Sequence, residues 1–335
     1  MGHSDAALQV PPTLFLTDAD VAALADWRAA IDALRTAYSA PIAPAMVPPR
    51  SMARGDGLWL RGMTAVSPSG KHMGCKLIAA SIKGKRASYL VSLFDLATMG
   101  LAALIDGNRI TGIRTAATAA VAVDAAAPRR ALKVAVIGSG FEAHGLLTAL
   151  AAVRTIASVK VFSPTLASRE KFAASFAEQG MQVEAAASAQ QALAGSDVVL
   201  CAARSRDESP VLLGEWLEPG MTVASIGSTL PEQREVDTGV IARAALVVTD
   251  MPEEVAHDTG DMLAATRAGV DFSKKLVDLP ALVSGQARRD PEAIVVYKSV
   301  GSALQDVITA EMLLARARAQ GLGSEMACSI QPIVK

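Results

Sequence analysis

The feature that most constrains this chain is a glycine-rich turn between two regular patterns. Leu132 to Ile137 is a continuous apolar run, and it ends in Gly138-Ser139-Gly140-Phe141-Glu142-Ala143. A helical pattern follows over about 143–154. A strand that breaks into a helix through two glycines in this spacing is the context a dinucleotide cradle requires. Gly138 lets the chain turn sharply, and Gly140 lets the backbone approach a pyrophosphate. Ala143 keeps helix and strand close. Free N–H groups at the helix start, with the helix dipole behind them, favour phosphate charge.

The rhythm downstream agrees. Val159 to Phe162, Val183 to Ala185, Asp197 to Ala202, Thr222 to Ile226, Ala245 to Thr249 and Ile294 to Tyr297 read as short apolar strands, most of them separated by helical segments. Alternation of this kind means βαβ units and a parallel sheet with helices on both faces. The fold class expected is therefore α/β, a Rossmann dinucleotide-binding domain over 121–306. Ala202, Ile226 and Gly227, at ends of later strands, are further candidate cofactor contacts.

A smaller α+β domain is expected from 1–120 plus 307–335. Residues 14 to about 40 read as helical, with Thr17-Asp18 as a cap and Val21, Leu24, Trp27 and Ile31 on one face. The stretch 41–50 has four prolines and reads as extended or looped. Apolar runs at Leu58-Trp59-Leu60, Lys76-Leu77-Ile78 and Tyr89 to Leu93 read as strands. A long alanine-rich helix is expected from Ile110 to Ala126. Another, from about Ala303 to Ala319, is expected to close the Rossmann part and lead the chain back.

Composition excludes several roles. Acids and bases are interleaved to a net charge of −1, and aromatic residues make up 4%. That argues against nucleic-acid binding and for a small-molecule partner. No apolar run reaches the length of a membrane span. The three cysteines, Cys75, Cys201 and Cys328, form no CxxC pair. Together with an N-terminus that lacks a basic stretch before an apolar core, they suit a reducing, cytoplasmic setting. His3, His72, His144 and His257 are scattered, so no metal site is expected.

The second strand bears on cofactor choice. It ends Val161-Phe162-Ser163-Pro164-Thr165, without the acid that usually takes the ribose hydroxyls of NAD. Ser163, Thr165, Ser168 and Arg169 instead suit a 2′-phosphate. NADP(H) is favoured, with NAD(H) possible.

Three basic residues stand out in the first domain. Arg50 follows a double proline, Lys76 sits inside an apolar strand, and Arg114 is read at a helix start, where it would oppose the dipole. Together they suit a substrate carboxylate, which arginine grips as a fork.

These residues carry a resemblance. Gly74-Cys75-Lys76, the stretch from Leu104 to Ala117 with Asp106-Gly107, Ile110-Thr111 and Arg114-Thr115-Ala116-Ala117, and Val136 to Gly140 resemble the ornithine cyclodeaminase/mu-crystallin family. So do Ile226-Gly227-Ser228 through Arg234-Glu235-Val236-Asp237, and Lys298-Ser299-Val300-Gly301 through Asp306. The resemblance implies a substrate and dimerisation domain, completed by the C-terminal helix, beside a Rossmann domain, in a homodimer. Members include ornithine cyclodeaminase, alanine dehydrogenase and reductases of ketimines and cyclic imino acids such as pyrroline-2-carboxylate. It implies that Arg50 and Arg114 hold the substrate carboxylate, that Lys76 faces the reacting carbon, and that Met63 lines the pocket. Thr111 and Thr115 would lie near the cofactor phosphates, and Val300-Gly301 beside the nicotinamide.

One departure sharpens the chemistry. The cyclodeaminases carry an Asp after the fifth Rossmann strand, which assists amine loss. Gly227 to Pro231 contains no acid here, and Thr229 is the aligned residue. A threonine can orient a proton donor but cannot act as a carboxylate base. The expected function is hydride delivery to a 2-imino acid, with Lys76 or a bound water as acid and Thr229 orienting it. An alanine-type amino-acid dehydrogenase, an ornithine cyclodeaminase and a non-enzymatic small-ligand binder are the alternatives. His144 is read as structural, His72 as a lesser pocket candidate, and Cys75 and Cys201 as core. Asp306 is read as a nicotinamide contact or a cap, and Asp261 as exposed.

Overall fold

The computed structural model describes residues 10–205, 207–327 and 330–333, so His3 and Cys328 lie outside the described residues. The chain divides into two compact units, Met1–Arg114 with Ser302–Lys335, and Thr115–Gly301. The expected cuts at 120 and 306 move accordingly.

The first unit opens with strand β1 (Leu14–Leu16), then helices α1 (Asp18–Leu24) and α2 (Trp27–Ser39). The single helix expected from residue 14 is thus a strand and two helices. Thr17 ends the strand and caps α1 in a capping box with Asp20. Asp26 breaks the helical run and caps α2, its carboxylate accepting the Ala29 N–H at 2.9 Å. Val21, Leu24 and Ile31 are buried on the common face. Strands β2 (Ser51–Gly55), β3 (Leu58–Val66), β4 (His72–Ser81), β5 (Arg86–Asp95) and β6 (Leu101–Asp106) follow, and then helix α3 (Gly107–Ala126). β4 shows the period-2 alternation of a strand with one buried face, with His72, Gly74, Lys76 and Ile78 pointing inward. Cys75 lies on the other face and is half-buried rather than core.

The second unit holds an eight-stranded sheet. Its chain order is β7 (Leu132–Ile137), α4 (Phe141–Val153), β8 (Ile156–Phe162), α5 (Leu166–Ala177), β9 (Val183–Ala185), α6 (Ala189–Leu193), β10 (Val198–Cys201), β11 (Thr222–Ser225), α7 (Thr238–Arg243), β12 (Leu246–Thr249), α8 (Pro252–Asp258), α9 (Gly260–Arg267), β13 (Leu276–Asp278), α10 (Leu279–Val283) and β14 (Val295–Lys298). The strand order is β13-β12-β14-β11-β10-β7-β8-β9, and every pairing is parallel. The chain runs from β7 out to β9 and then returns to the other side of β7 at β10. Ligands bind beyond the carboxyl ends of strands at such a reversal. The central strands are buried on both faces, which is why they read as unbroken apolar runs.

The chain then re-enters the first unit through helix α11 (Ala303–Gln320) and strand β15 (Ser324–Glu325). α11 therefore belongs wholly to the first unit, where the sequence reading placed it from residue 307 onward. The first unit's sheet has the order β15-β1-β6-β5-β4-β3-β2. Gly74 makes room for α11, since a Cβ there would lie 2.2 Å from the Ser92 carbonyl oxygen and 3.2 Å from Val307. Among the described residues no helix is long and apolar enough to cross a membrane.

Candidate functional site

In the first unit, β3, β4, α3 and α11 bring polar groups together inside an apolar core. Met63 pairs with Lys76 across the antiparallel β3–β4 ladder, so both side chains share the buried face. Lys76 is wholly buried; its Nζ donates to Thr111 Oγ1 at 2.6 Å and to Asp306 Oδ1 at 2.9 Å. It also lies 5.7 Å from the centre of the Tyr89 ring. An ammonium has three donors, so one N–H of Lys76 has no protein acceptor among the described residues.

Arg114 completes the cluster. Its Nε lies 3.3 Å from Asp306 Oδ1, and its Nη1 donates to Gln305 Oε1 at 2.9 Å. Gln305 Nε2 in turn donates to the Tyr38 hydroxyl at 3.0 Å. The reading of Arg114 as a helix-start residue opposing the dipole is corrected: α3 begins at Gly107, and Arg114 stands well inside it with its charge met by α11. Thr111, expected near phosphates, has its hydroxyl bound to Lys76 and to the Gly107 carbonyl. Arg50 lies half-buried just before β2.

Burial lowers the Lys76 pKa to about 8, the positive charges of Arg114 and Arg61 push the same way, and Asp306 opposes them. The cluster has an excess of positive charge, which suits an anionic small molecule.

In the second unit the candidate cofactor residues collect beyond the carboxyl ends of the parallel strands. Gly138 follows β7, Ser163 follows β8, Ala202 follows β10, Ile226 and Gly227 follow β11, and Val300 and Gly301 follow β14. Gly138 has φ +107°, and a Cβ there would lie 2.5 Å from the Ala202 carbonyl oxygen. Gly140 caps α4 with its backbone and no side-chain bond, and a Cβ there would meet nothing within 4 Å. That open space at the N-terminus of α4, where Gly140 offers no side-chain cap, fits a pyrophosphate. Ser139 Oγ donates to Ser163 Oγ at 3.0 Å, tying the turn to the next strand. Thr165 and Ser168 form the cap of α5, whereas Arg169 bonds the Ala186 carbonyl and lies over the Phe162 ring. Thr115 sits in α3 at the start of this unit.

Two buried carboxylates, neither anticipated as site residues, shape these loops. Glu235 accepts from Ser225 Oγ at 2.5 Å, from the Gly227 N–H at 2.8 Å and from the Ala203 N–H at 2.9 Å. Asp250 accepts from Ser299 Oγ at 2.6 Å and from the N–H groups of Val300 and Gly301 at 3.2 and 2.9 Å. Asp261, expected exposed, is buried. It accepts the Glu235 N–H at 2.9 Å and pairs with Lys298 at 3.2 Å. Thr229 is half-buried, its hydroxyl donating to Gln233 Oε1 at 3.2 Å. His144 packs on Phe172 and Phe176, the structural role expected of it. His72 pairs with Glu311 at 3.0 Å. Among the described residues no group of three or more His, Cys, Asp or Glu is arranged to hold a metal.

A family model described as the ornithine cyclodeaminase/mu-crystallin family matches residues 13–321. The chain belongs to this family. Within it, the chain is 31% identical over 281 residues to a Delta(1)-pyrroline-2-carboxylate reductase of Bacillus cereus, an alignment that covers 82% of each protein. It is 32% identical over 223 residues to the ketimine reductase mu-crystallin of Rattus norvegicus, 67% of each. In fold it matches the structure of Thermococcus litoralis Delta(1)-pyrroline-2-carboxylate reductase in complex with NADH and L-proline. That match has a TM-score of 0.84 at 24% identity and covers 94% of this chain and 100% of that one.

Proposed function

We propose that this family member is a nicotinamide-dependent reductase of 2-imino acids. The observation that carries the reading is Lys76, a buried ammonium with a pKa of about 8 and one N–H without a protein acceptor among the described residues, held beside Arg114. Relatives named as reductases of pyrroline-2-carboxylate and of ketimines support it. Arg50 and Arg114 would grip the substrate carboxylate, and Met63 would line the pocket. Lys76 or a bound water would protonate the imine nitrogen and make its carbon more electrophilic, and orienting a proton donor is the role proposed for Thr229. The nicotinamide group, when bound, supplies the hydride. Gly138 to Ala143 would hold its pyrophosphate, with Ala202, Ile226, Gly227, Val300 and Gly301 along the carboxyl edge of the sheet. Ser228-Thr229-Leu230-Pro231 offers no carboxylate base, which favours reduction over cyclodeamination.

The finer cofactor reading is NADP(H). Ser163, Thr165, Ser168 and Arg169 surround the end of β8, where an acid would otherwise select NAD. Reduced-nicotinamide oxidation, followed with both cofactors, tests these readings together. Pyrroline- or piperideine-2-carboxylate should be consumed faster than pyruvate plus ammonia. Ammonia release from ornithine without net redox would sink the reading.

A homodimer is part of the same proposal. Leu58, Leu60 and Leu77 lie exposed on the sheet face opposite Met63 and Lys76, and such a patch marks an interaction surface. Sedimentation of Leu60→Glu against wild type tests this, a monomeric wild type being the adverse result. A reducing, cytoplasmic setting suits the free thiols of Cys75 and Cys201.

A further inference from the structure

The geometry points to Asp306 as a positioning residue: a buried carboxylate on α11 that aims the amino group of Lys76 and the guanidinium of Arg114 at one substrate. This rests on the reductase reading and adds a residue that the sequence left as a cap or a cofactor contact.

Asp306 stands in the first turn of α11, where an acid ordinarily serves the helix's own N–H groups or its dipole. Here one oxygen, Oδ1, receives both Lys76 Nζ at 2.9 Å and Arg114 Nε at 3.3 Å. The other, Oδ2, is buried without a hydrogen-bond partner among the described residues. A carboxylate placed for stability alone would satisfy both oxygens, because a buried unpartnered acceptor is costly. Converging two cations on one oxygen instead fixes their separation and direction.

Its neighbour acts in the same sense. Gln305 holds Nη1 of Arg114 and is itself held by the Tyr38 hydroxyl. Consecutive residues of α11 thus grip two edges of one guanidinium and set its plane, which bidentate recognition of a carboxylate demands. Thr111 fixes a second N–H of Lys76, so its third N–H has one direction left.

Charge acts in the same direction. The groups facing Lys76 are Asp306 from α11, Arg114 and Thr111 from α3, Arg61 from β3 and the Tyr89 ring from β5. Asp306 is the anion among them. Burial, Arg114 and Arg61 all drive the proton off Lys76, and Asp306 keeps it there.

The test uses the full chain and two readouts: turnover of a cyclic imino acid, and calorimetric binding of pyrrole-2-carboxylate, an inert planar carboxylate, across pH. Asp306→Asn should move the alkaline limb of analogue binding down by about one pH unit and weaken binding about tenfold. NADPH affinity should stay at the wild-type value. An unchanged limb and affinity, with only a lower melting temperature, would reduce Asp306 to a structural tie. If the Asn variant does not fold, Asp306→Glu decides. It keeps the charge but displaces it, so a wild-type limb with about tenfold weaker binding supports positioning and unchanged affinity overturns it. Absence of turnover in wild type would sink the reductase reading alone, since the binding arm still judges Asp306.

Discussion

Asp306 Oδ1 lies 2.9 Å from Lys76 Nζ across 230 residues of sequence, and neither side chain is exposed to solvent. A buried ammonium survives there because its partner is buried with it. Removing one member of such a pair leaves a charge that water cannot reach.

Turnover should track the Lys76 proton. Its pKa is lowered to about 8, chiefly by burial, so the ammonium is present below that value and lost above it. If it is the acid in reduction, kcat for the imino acid should fall as pH rises through about 8, and oxidation of the amino acid should rise. Lys76→Ala should lower reductive kcat by about a hundredfold or more. Unchanged turnover in that variant would remove Lys76 from the chemistry.

The two turn glycines should separate stability from cofactor binding. Gly138→Ala forces a Cβ onto a residue at φ +107° and 2.5 Å from a backbone oxygen, so melting should drop by at least a few degrees. Gly140→Ala meets nothing within 4 Å and should melt like wild type. It should nonetheless weaken reduced-nicotinamide binding by about tenfold, because the methyl fills the approach to the pyrophosphate. Fluorescence titration and thermal unfolding of the pair decide the matter; equal NADPH affinity for Gly140→Ala and wild type would deny the cradle.

Arg169 should discriminate cofactors. Its guanidinium already bonds the Ala186 carbonyl and covers the Phe162 ring, which fixes its place at the end of β8. Arg169→Ala should raise KM for NADPH by about tenfold, the worth of a charged hydrogen bond, and leave KM for NADH near its original value. Equal changes for both cofactors would make Arg169 a loop anchor and nothing more.

Glu235 should behave as a buried organiser of two strand ends. Glu235→Ala strands the N–H groups of Ala203 and Gly227 and leaves Lys298 with less negative charge nearby, at a cost of about 3–5 kcal/mol in chemical denaturation. Burial raises its carboxyl above the ordinary range. The folded state therefore holds this proton more tightly than the unfolded one. Wild type should lose stability relative to Glu235→Gln as pH rises through the Glu235 pKa. A pH-independent difference between the two would contradict that.

The second unit is far more legible in the sequence than the first. Strands such as β10 and β11 are buried on both faces, so their apolar runs announce themselves, and Gly138 and Gly140 announce the turn. The three residues Leu14-Phe15-Leu16 are too few to show a period, and they merge with the helical pattern behind them. Arg114 is a ligand candidate on the sequence for a wrong local reason, since it reads as a helix start whereas α3 begins two turns earlier, at Gly107. Asp261 misleads because its sequence neighbours do not distinguish an exposed acid from one buried against a distant lysine, and Asp306 reads equally as a cap or a cofactor contact. A usable signal does exist for Asp306: it sits among Ala303 to Ala310, all buried, where a polar residue needs a partner.

The first unit is assembled from two stretches of chain with the whole of the second unit between them. On the ribosome Lys76 therefore emerges well before the carboxylate that neutralises it. At about 5–20 residues per second, the wait is on the order of ten to fifty seconds. During that interval the β3–β5 hairpins can form, but the inward face of β4 carries a lysine with no anion to meet it and no α11 to cover it. The second unit, complete in sequence by Gly301, is free to mature first. Vectorial synthesis thus delivers the whole chain of the second unit before the charged cluster can close.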